Sequence, residues 1–427
     1  MKVDTKDLSE VAFYQEGPGV RTSQFSESGV KLINVTNISN GKLDLSKTKT
    51  HISKDEAFGK YKHFLLEAND IVMASSGATW GKTTIVNKKD LPLCMNTSVI
   101  RFRPLNEKIL TKEYLKIVLD SIDFKKQIKN LITGAAQPNF GPTHLGKIKV
   151  ALPSLSDQIQ IANILIKAET LIEQRKQSIL LLDEFLKSSF LEMFGDPVNN
   201  EKKWETKTIE QLVKKEKYSL KRGPFGGALK KEIFVPSGYL VYEQFHALNN
   251  DFSFARYFID ENKFQELKAF EVSAGDIIIS CSGVYLGKLA ILPKGAKRGI
   301  INQALLKISL DEKIINNQFF IFLFSHPSFK TKFYGNIIGT GIPNFPSMAD
   351  FKKFNFIYPS IELQNQFANI VSKTEALKEK YKNSLVELEN LYGSLSQRAF
   401  KGELEFLNTE EEYRIAAATA VAYKRKL

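Results

Sequence analysis

The sequence contains only two cysteines, Cys94 and Cys281, among 427 residues. They lie far apart and in no metal-ligand spacing, which argues against a disulfide scaffold or a cysteine zinc site and for a reducing compartment. No stretch of about eighteen apolar residues occurs, and the first residues include no apolar secretion segment. We therefore expect a cytoplasmic protein that is neither secreted nor embedded in a membrane.

The sequence also lacks a complete nucleotide-binding loop. The segment Ser76–Thr83 is similar to one, but only three residues separate Gly77 from Gly81, where the motif has four. A second copy ends in Gly287-Lys288-Leu289 and has no hydroxyl residue to hold Mg²⁺. Nucleotide binding is therefore not expected.

No catalytic motif is recognisable. The five histidines are scattered without the spacing of a zinc-binding helix, and no acidic pair followed by lysine forms a nuclease site. The Gly-x-Ser-x-Gly elbow of hydrolases is absent, as is the Asn/Asp-Pro-Pro-aromatic pattern with which amino-methyltransferases hold the target amine. The sequence therefore predicts a non-enzymatic protein with no catalytic residue, no metal site and no cofactor of its own.

Positive charge is in excess. The formal net charge is +13 at pH 7. This balance favours a polyanionic partner, most often nucleic acid, although a generally basic proteome would give the same composition. The length of the chain suits two to three ordinary globular domains.

An internal repeat organises the chain. The stretch from Pro153 to about Asp196 recurs from Pro359 to about Glu403, with paired residues 206 positions apart. The paired identities in these stretches are Gln158/Gln364, Asn163/Asn369, Ile164/Ile370, Glu169/Glu375, Leu171/Leu377, Lys176/Lys382, Ser178/Ser384, Leu182/Leu388 and Phe194/Phe400. Upstream, the same offset relates Gly17-Pro18 to Gly223-Pro224, Asp70 to Asp276, Ser76-Gly77 to Ser282-Gly283, Gly81-Lys82 to Gly287-Lys288, and Asn96 to Asn302. Pro138-Asn139-Phe140 returns as Pro343-Asn344-Phe345, offset by 205.

Each repeat ends in a predicted long helix. Pro153-Ser154 places serine as an N-cap before about forty residues without proline or glycine, and Pro359-Ser360 opens the second copy. Apolar residues at steps of three and four predict a stripe that each helix buries on the other. The stripe residues are Ile161, Ile164, Ala168, Leu171, Leu182, Phe185 and Phe190 in the first helix, and Phe367, Ile370, Thr374, Leu377, Tyr381, Ser384, Leu388, Leu391 and Leu395 in the second.

The segments before the helices predict two β-rich globules. Asp70–Ala74 and Asp276–Ser280 have the apolar character of buried strands, and Ser98–Arg103 alternates as a half-buried strand should. A single helix is predicted over about Thr111–Leu131, whereas Pro327 breaks its counterpart in the second globule.

These elements define five predicted segments. They are a globular domain over 1–153, a long helix over 154–195, a second globular domain over 196–359, a second long helix over 360–402, and a tail over 403–427. In the tail, Thr409 and Glu412 form a capping box that predicts a short helix.

Basic and polar residues in turns are the candidate DNA contacts. Lys82 and Lys288 follow glycines at equivalent positions, where a cation beside backbone N–H groups suits a phosphate. Gln137, Asn139 and Asn344 lie in the duplicated loops and carry amides suited to phosphates or base edges. Lys221 and Arg222 end a run of positive charge before Gly223-Pro224. The alternatives are turns that simply close the fold and a charge run that is a solvated face.

This arrangement resembles the specificity subunit of type I restriction–modification enzymes. The resemblance covers residues 1 to 402, and its markers are Leu152-Pro153-Ser154 with Gln158, Phe194-Gly195-Asp196-Pro197 before Trp204, Pro359-Ser360 with Gln364, and Phe400-Lys401-Gly402-Glu403-Leu404. It implies an α+β fold in which two duplicated β-rich α/β target-recognition domains are separated by two long helices that pair as an antiparallel coiled coil.

The resemblance also implies function. Such a subunit reads a bipartite, asymmetric site on double-stranded DNA without catalysis, and recruits two methyltransferase subunits and, with them, restriction and translocase subunits. S-adenosylmethionine, ATP and Mg²⁺ belong to those partners. Two alternatives remain open: a stand-alone DNA-binding or anti-restriction module, which needs no methyltransferase encoded nearby, and a structural rod, which shows no salt-dependent affinity for DNA.

Overall fold

A computed structural model describes residues 3–39, 41–132, 139–225, 227–334 and 344–406. The chain divides into two compact units, the first comprising Met1–Arg175 with Ser384–Leu427 and the second Lys176–Asn383. Each unit therefore holds one globule together with half of each long helix. In the described ranges, no helix combines the length and apolar character that crossing a membrane requires. The predicted helix at Thr409 lies outside the described residues.

The first globule combines short strands and helices. Its elements, with the first long helix, are β1 (Asp4–Asp7), α1 (Leu8–Val11), β2 (Ala12–Glu16), β3 (Val30–Ile33), β4 (Ile38–Ser39), β5 (Lys42–Leu43), β6 (His51–Ile52), α2 (Lys54–Phe58), β7 (Ile71–Ala74), β8 (Thr83–Ile85), β9 (Leu93–Met95), β10 (Val99–Pro104), α3 (Lys112–Asp120), α4 (Ile122–Leu131), α5 (Pro142–Leu145), β11 (Lys149–Leu152) and α6 (Leu155–Phe194). An antiparallel sheet has the order β2-β10-β7-β8. A second sheet, β6-β3-β9, contains the parallel pair β3·β9, and β1 pairs with β11.

The second globule repeats this plan. Its elements, with the second long helix, are β12 (Thr206–Thr208), α7 (Ile209–Leu212), β13 (Leu220–Arg222), β14 (Tyr239–Tyr242), α8 (Gln244–Asn249), β15 (Phe258–Ile259), α9 (Glu261–Glu266), β16 (Glu271–Val272), β17 (Ile277–Ser280), β18 (Leu289–Ile291), β19 (Gly299–Ile301), β20 (Leu305–Ile308), α10 (Asn317–Ser325), α11 (Pro327–Phe333), α12 (Met348–Phe351), β21 (Asn355–Ile357) and α13 (Ile361–Phe400). The antiparallel sheet is β13-β20-β17-β18. The parallel pair is β14·β19, and β12 pairs with β21. The predicted mixed fold of two duplicated globules is confirmed.

The prediction that Ser98–Arg103 forms a half-buried strand is wrong. β10 is a central strand, and all of Val99–Phe102 is buried, including Arg101. The strand lies between two apolar clusters, with Val99 in one and Ile100 and Phe102 in the other. The alternating pattern misled because Arg101 is a buried cation rather than a solvent-facing one.

The single helix predicted over Thr111–Leu131 is also wrong. α3 ends at Asp120 and α4 begins at Ile122, because the Ser121 hydroxyl accepts a hydrogen bond from Phe124 N at 3.0 Å and caps the new helix. The predicted break at Pro327 is confirmed, since it is the first residue of α11. Ser121 and Pro327 are 206 positions apart, so both globules break this helix at the same place by different means.

The two long helices, each of 40 residues, pack on each other in both units. In the first unit the Tyr392 hydroxyl donates to Glu169 Oε1 at 2.8 Å. In the second unit Lys378 pairs with Asp183. Each contact joins the first half of one helix to the second half of the other, and the predicted antiparallel pairing is confirmed.

The predicted stripe is only partly buried. Ile161, Ala168 and Phe190 of α6 are buried, as are Phe367 and Thr374 of α13. The exposed members of the stripe are Ile164, Leu171 and Phe185 on α6, and Leu377 and Leu391 on α13. A helix with 3.6 residues per turn drifts from a strict heptad, and the ends of both helices also pack into the globule cores. The buried face therefore departs from a single seam.

A buried glutamine ties each long helix to its globule. Gln158 accepts a hydrogen bond from Thr111 N at 2.9 Å and donates to Ile109 O at 2.8 Å and Pro153 O at 3.0 Å. Gln364 makes the equivalent contacts, accepting from Asn316 N at 2.9 Å and donating to Pro359 O at 2.9 Å. Thr111 and Asn316 are the N-cap residues of α3 and α10. We name this arrangement the glutamine clamp.

We expect Gln158→Ala to lower the free energy of unfolding of the first unit by about 2–3 kcal/mol, because it leaves buried backbone groups without partners. The matched control is Gln397→Ala, which removes an exposed glutamine of α13 in the same unit and should change stability by less than about 0.5 kcal/mol. Denaturant titration followed by circular dichroism measures both. Equal midpoints for the two variants would contradict the clamp.

Candidate nucleic-acid interface

A tight turn joins two strands of the antiparallel sheet in each globule. In the first globule it links β7 to β8, with Gly81 N donating to Ala74 O at 2.7 Å and Ala74 N to Lys82 O at 3.0 Å. In the second it links β17 to β18, with Gly287 N donating to Ser280 O at 2.9 Å and Ser280 N to Lys288 O at 2.7 Å. The same backbone frame is therefore built twice.

Glycine is required at the start of this turn. Gly77 has φ +73° and Gly283 has φ +75°, in the left-handed region that other residues rarely adopt. A Cβ at either position would meet no atom within 4 Å. The requirement is therefore conformational and leaves open space beside the turn.

A second duplicated loop lies against each turn. Asn139 forms a β-bridge with Ser76, and Phe140 N donates to Ser75 O at 3.2 Å. In the second globule Asn344 bridges Ser282. We name the paired segments Ser76–Lys82 with Asn139–Phe140, and Ser282–Lys288 with Asn344–Phe345, the paired-loop faces.

The paired-loop faces bring several predicted residues together. Lys82 and Asn139 are exposed on the first face, and Lys288 and Asn344 on the second. Gln137 lies outside the described residues. Within the first unit, Lys82 also borders an open cleft of about 600 Å³. The cleft is lined by both signs of charge, with Lys42, Lys116 and Lys125 facing Asp120, Glu169 and Glu173.

The side chains of Lys221 and Arg222, which are neighbours in the sequence, make different contacts. Both belong to β13, at the edge of the sheet. Arg222 is near Cys281 at the base of the turn: burial raises the pKa of that thiol to about 12, and the guanidinium opposes the rise. Arg222 also lies over the Phe225 ring at 5.4 Å. Lys221 instead lies over the rings of Tyr218 and Phe270, at 5.2 and 5.1 Å.

A central strand of each antiparallel sheet, β10 or β20, carries a buried cation that sequence reasoning missed. The Arg101 guanidinium donates to Leu65 O, His63 O and Gln15 Oε1 at 2.6–2.7 Å. At the equivalent position, Lys307 Nζ donates to a backbone carbonyl at 2.8 Å. Burial lowers the pKa of both side chains. Their spacing of 206 residues is a signal that could have identified them.

The repeated carboxylates of the sheet have a structural role. Asp70 accepts a hydrogen bond from Glu67 N at 2.8 Å and pairs with Arg103. Asp276 accepts from Ser273 N at 2.8 Å. Both close the turn before the strand that leads to the paired-loop face. Among the residues that the structure describes, no cluster of three or more histidine, cysteine or acidic side chains is placed to hold a metal.

The repeated glycine of the Gly-Pro pair permits a close backbone approach. A Cβ on Gly17 would lie 2.2 Å from Asn96 O, and one on Gly223 would lie 1.9 Å from Asn302 O. Gly17 N and Gly223 N donate to the strands opposite, Val99 O and Leu305 O, both at 2.9 Å. Only glycine fits in these two positions, which explains why the glycine recurs.

A sequence model of one family matches most of this chain. It describes the type I restriction modification DNA specificity domain, and it matches residues 1–181 and 201–390. The double match follows the internal repeat.

Two relatives of this chain are described as specificity subunits of type I restriction enzymes. The chain is 33% identical over 173 residues to the type I restriction enzyme MjaVIII specificity subunit of Methanocaldococcus jannaschii, an alignment that spans 40% of each protein. It is 22% identical over 396 residues to the EcoKI specificity subunit of Escherichia coli K12, covering 87% of this chain and 82% of that one.

Solved structures show a similar fold at low identity. An S subunit from the type I restriction–modification system of M. genitalium superposes with a TM-score of 0.50 at 15% identity, covering 95% of this chain and 97% of that one. A chain from a study of complex assembly and conformational transition of the type I system gives a TM-score of 0.59 at 15% identity, covering 94% and 98%.

Proposed function

Because this chain belongs to the type I restriction–modification DNA specificity family, we propose that it is the subunit that reads a bipartite, asymmetric site on double-stranded DNA. Each globule reads one half of the site, and the long helices dock two methyltransferase subunits and, with them, restriction and translocase subunits. The chain itself is non-catalytic. S-adenosylmethionine, ATP and Mg²⁺ bind to the partners.

The observation that carries this proposal is the duplicated paired-loop face. Two globules present the same frame, built from equivalent hydrogen bonds, while the residues around it differ. A frame that is kept while its surroundings diverge suits two readers of different sequences. The missing catalytic motifs and the net charge of +13 are consistent with a DNA-reading subunit that leaves chemistry to others.

Within each face, contacts divide into two kinds. Lys82 and Lys288 are point charges beside backbone amides and bind phosphates, which sets position without reading sequence. Asn139 and Asn344 carry amides that bind base edges, a role that the sequence also predicts for Gln137. Arg222 and Lys221 add phosphate contacts to the second globule alone, because Glu16 and Gln15 hold the equivalent positions in the first.

We expect Lys288→Ala to weaken binding to all DNA sequences and to reduce the slope of log K against log salt by about 0.9, the value for one lost phosphate contact. Lys82→Ala should do the same. The matched control is Lys380→Ala, an exposed lysine of α13, which should leave the slope unchanged. Fluorescence anisotropy across a salt series measures it. A relaxed sequence preference at constant slope would contradict the phosphate role.

The long helices carry a repeated exposed apolar pair that supports methyltransferase docking. On α6, Leu180 is 58% exposed and Phe185 is 51% exposed. Their equivalents on α13, 206 positions later, are Val386 at 56% and Leu391 at 51%. Residues five apart lie about 140° from each other around a helix, so each pair offers two separate apolar contacts. Their recurrence at the same two positions of both helices supports a docking role. One pair lies in each unit, which matches two copies of one partner.

We expect Leu180→Glu with Phe185→Glu to release one of two methyltransferase subunits from the co-expressed complex, because a carboxylate in an apolar interface lacks a partner. Val386→Glu with Leu391→Glu should release the other. Gln177→Glu adds one carboxylate at an exposed position of α6 and should retain both. Native mass spectrometry counts the subunits. Full stoichiometry in both double variants would rule out this docking surface.

A further inference from the structure

The tips of the duplicated turns differ while their frames are the same. Ser76-Gly77 and Gly81-Lys82 recur as Ser282-Gly283 and Gly287-Lys288. Between these pairs stand Ala78-Thr79 in the first globule and Val284-Tyr285 in the second. The third tip residue is an anchor in both: Leu286 is buried, and Trp80 packs on Phe140 with ring centroids 6.4 Å apart.

The second tip presents apolar side chains to solvent. Val284 is 83% exposed and Tyr285 is 53% exposed. Their backbone is nevertheless fixed, because Leu286 N donates to Gly283 O at 3.1 Å and Lys288 N to Tyr285 O at 3.1 Å. Exposed apolar side chains on a rigid turn contribute little to folding, since they bury little surface. Their position beside Lys288 and Asn344 favours a role in contact with a ligand.

We propose that the exposed tip residues of the two turns are specificity-determining residues that contact base edges, with Val284 and Tyr285 reading part of one half-site and Ala78 reading part of the other. This inference rests on the proposed function, and it assigns base reading to a place in each globule. The frame brings each tip to the same location, and the identity of the tip sets the preferred base.

The chemistry of the second tip indicates its base. Apolar side chains distinguish thymine in the major groove by contact with its C5-methyl group. Val284 carries two γ-methyl groups that Ala78 lacks. The Tyr285 hydroxyl can donate a hydrogen bond to a neighbouring base edge or accept one from it. We therefore assign a thymine to the half-site read by the second globule, contacted by Val284.

The test selects binding sites for the full chain from a randomised duplex library. In the variant Val284→Ala with Tyr285→Thr, which carries the tip of the first globule, we expect discrimination at one or two adjacent positions of one half-site to fall about 5- to 100-fold. The other half-site and the affinity for unrelated DNA should stay within about twofold. The reciprocal variant, Ala78→Val with Thr79→Tyr, should alter the other half-site.

A base replacement and a control variant make the test more specific. Replacing the contacted thymine by deoxyuridine, which lacks the methyl group, should weaken binding by the unaltered chain several-fold but leave the Val284→Ala variant unaffected. Leu105→Ala is the matched control, since it shortens an exposed apolar side chain that follows β10 and has no assigned role, and it should leave both half-sites intact.

The outcomes separate this inference from the function on which it rests. If both tip variants bind and select the motif of the unaltered chain, the tips do not read bases, while the proposed function stands. A second half-site without a methyl-dependent thymine overturns the assignment to Val284. If the unaltered chain selects no motif, the proposed function fails and the inference fails with it. If one tip variant fails to fold, the reciprocal variant tests whether the tips read bases.

Discussion

A buried side-chain amide at the start of each long helix is the interaction on which the rest of the structure depends. Gln158 and Gln364 satisfy backbone groups both at the start of their own helix and at the start of a helix in the adjoining globule. Because the amide is fully buried, its oxygen or its nitrogen would lower the stability of the fold if it were left without a hydrogen-bond partner. The clamp therefore fixes the direction in which each helix leaves its globule, and it does so twice with the same residue.

In each globule, one set of residues holds the backbone in place and another set is exposed on the surface. Close backbone approaches at Gly17 and Gly223, the turn carboxylates Asp70 and Asp276, and the buried cations Arg101 and Lys307 hold the strands beneath each paired-loop face. These positions tolerate little change because each is buried or in van der Waals contact with backbone. The exposed tip residues have no such constraint. A chain built this way can change what it reads without changing how it folds.

The sequence predicted the repeat and the two long helices, because a fixed offset needs no knowledge of packing, and the family resemblance implied their antiparallel pairing. Local patterns were less reliable. Ser121 caps α4 through its side chain, and in the sequence it cannot be told from a surface serine. Arg101 looked solvent-facing, because the backbone carbonyls that accept its hydrogen bonds are more than thirty positions away. For the candidate site, the turn glycines were found from the repeat. The contact between the turn and the Asn139 loop was not, since it joins residues about sixty positions apart.

The central claim is that each globule reads its own half of a bipartite site, and an exchange of globules tests it most directly. Residues 1–153 are replaced by the equivalent domain of a relative with a different target, and the methylated sites of the host are mapped by sequencing. The account predicts that one half of the recognised motif changes to that of the donor while the other half stays the same. A change in both halves, or in neither, would contradict it.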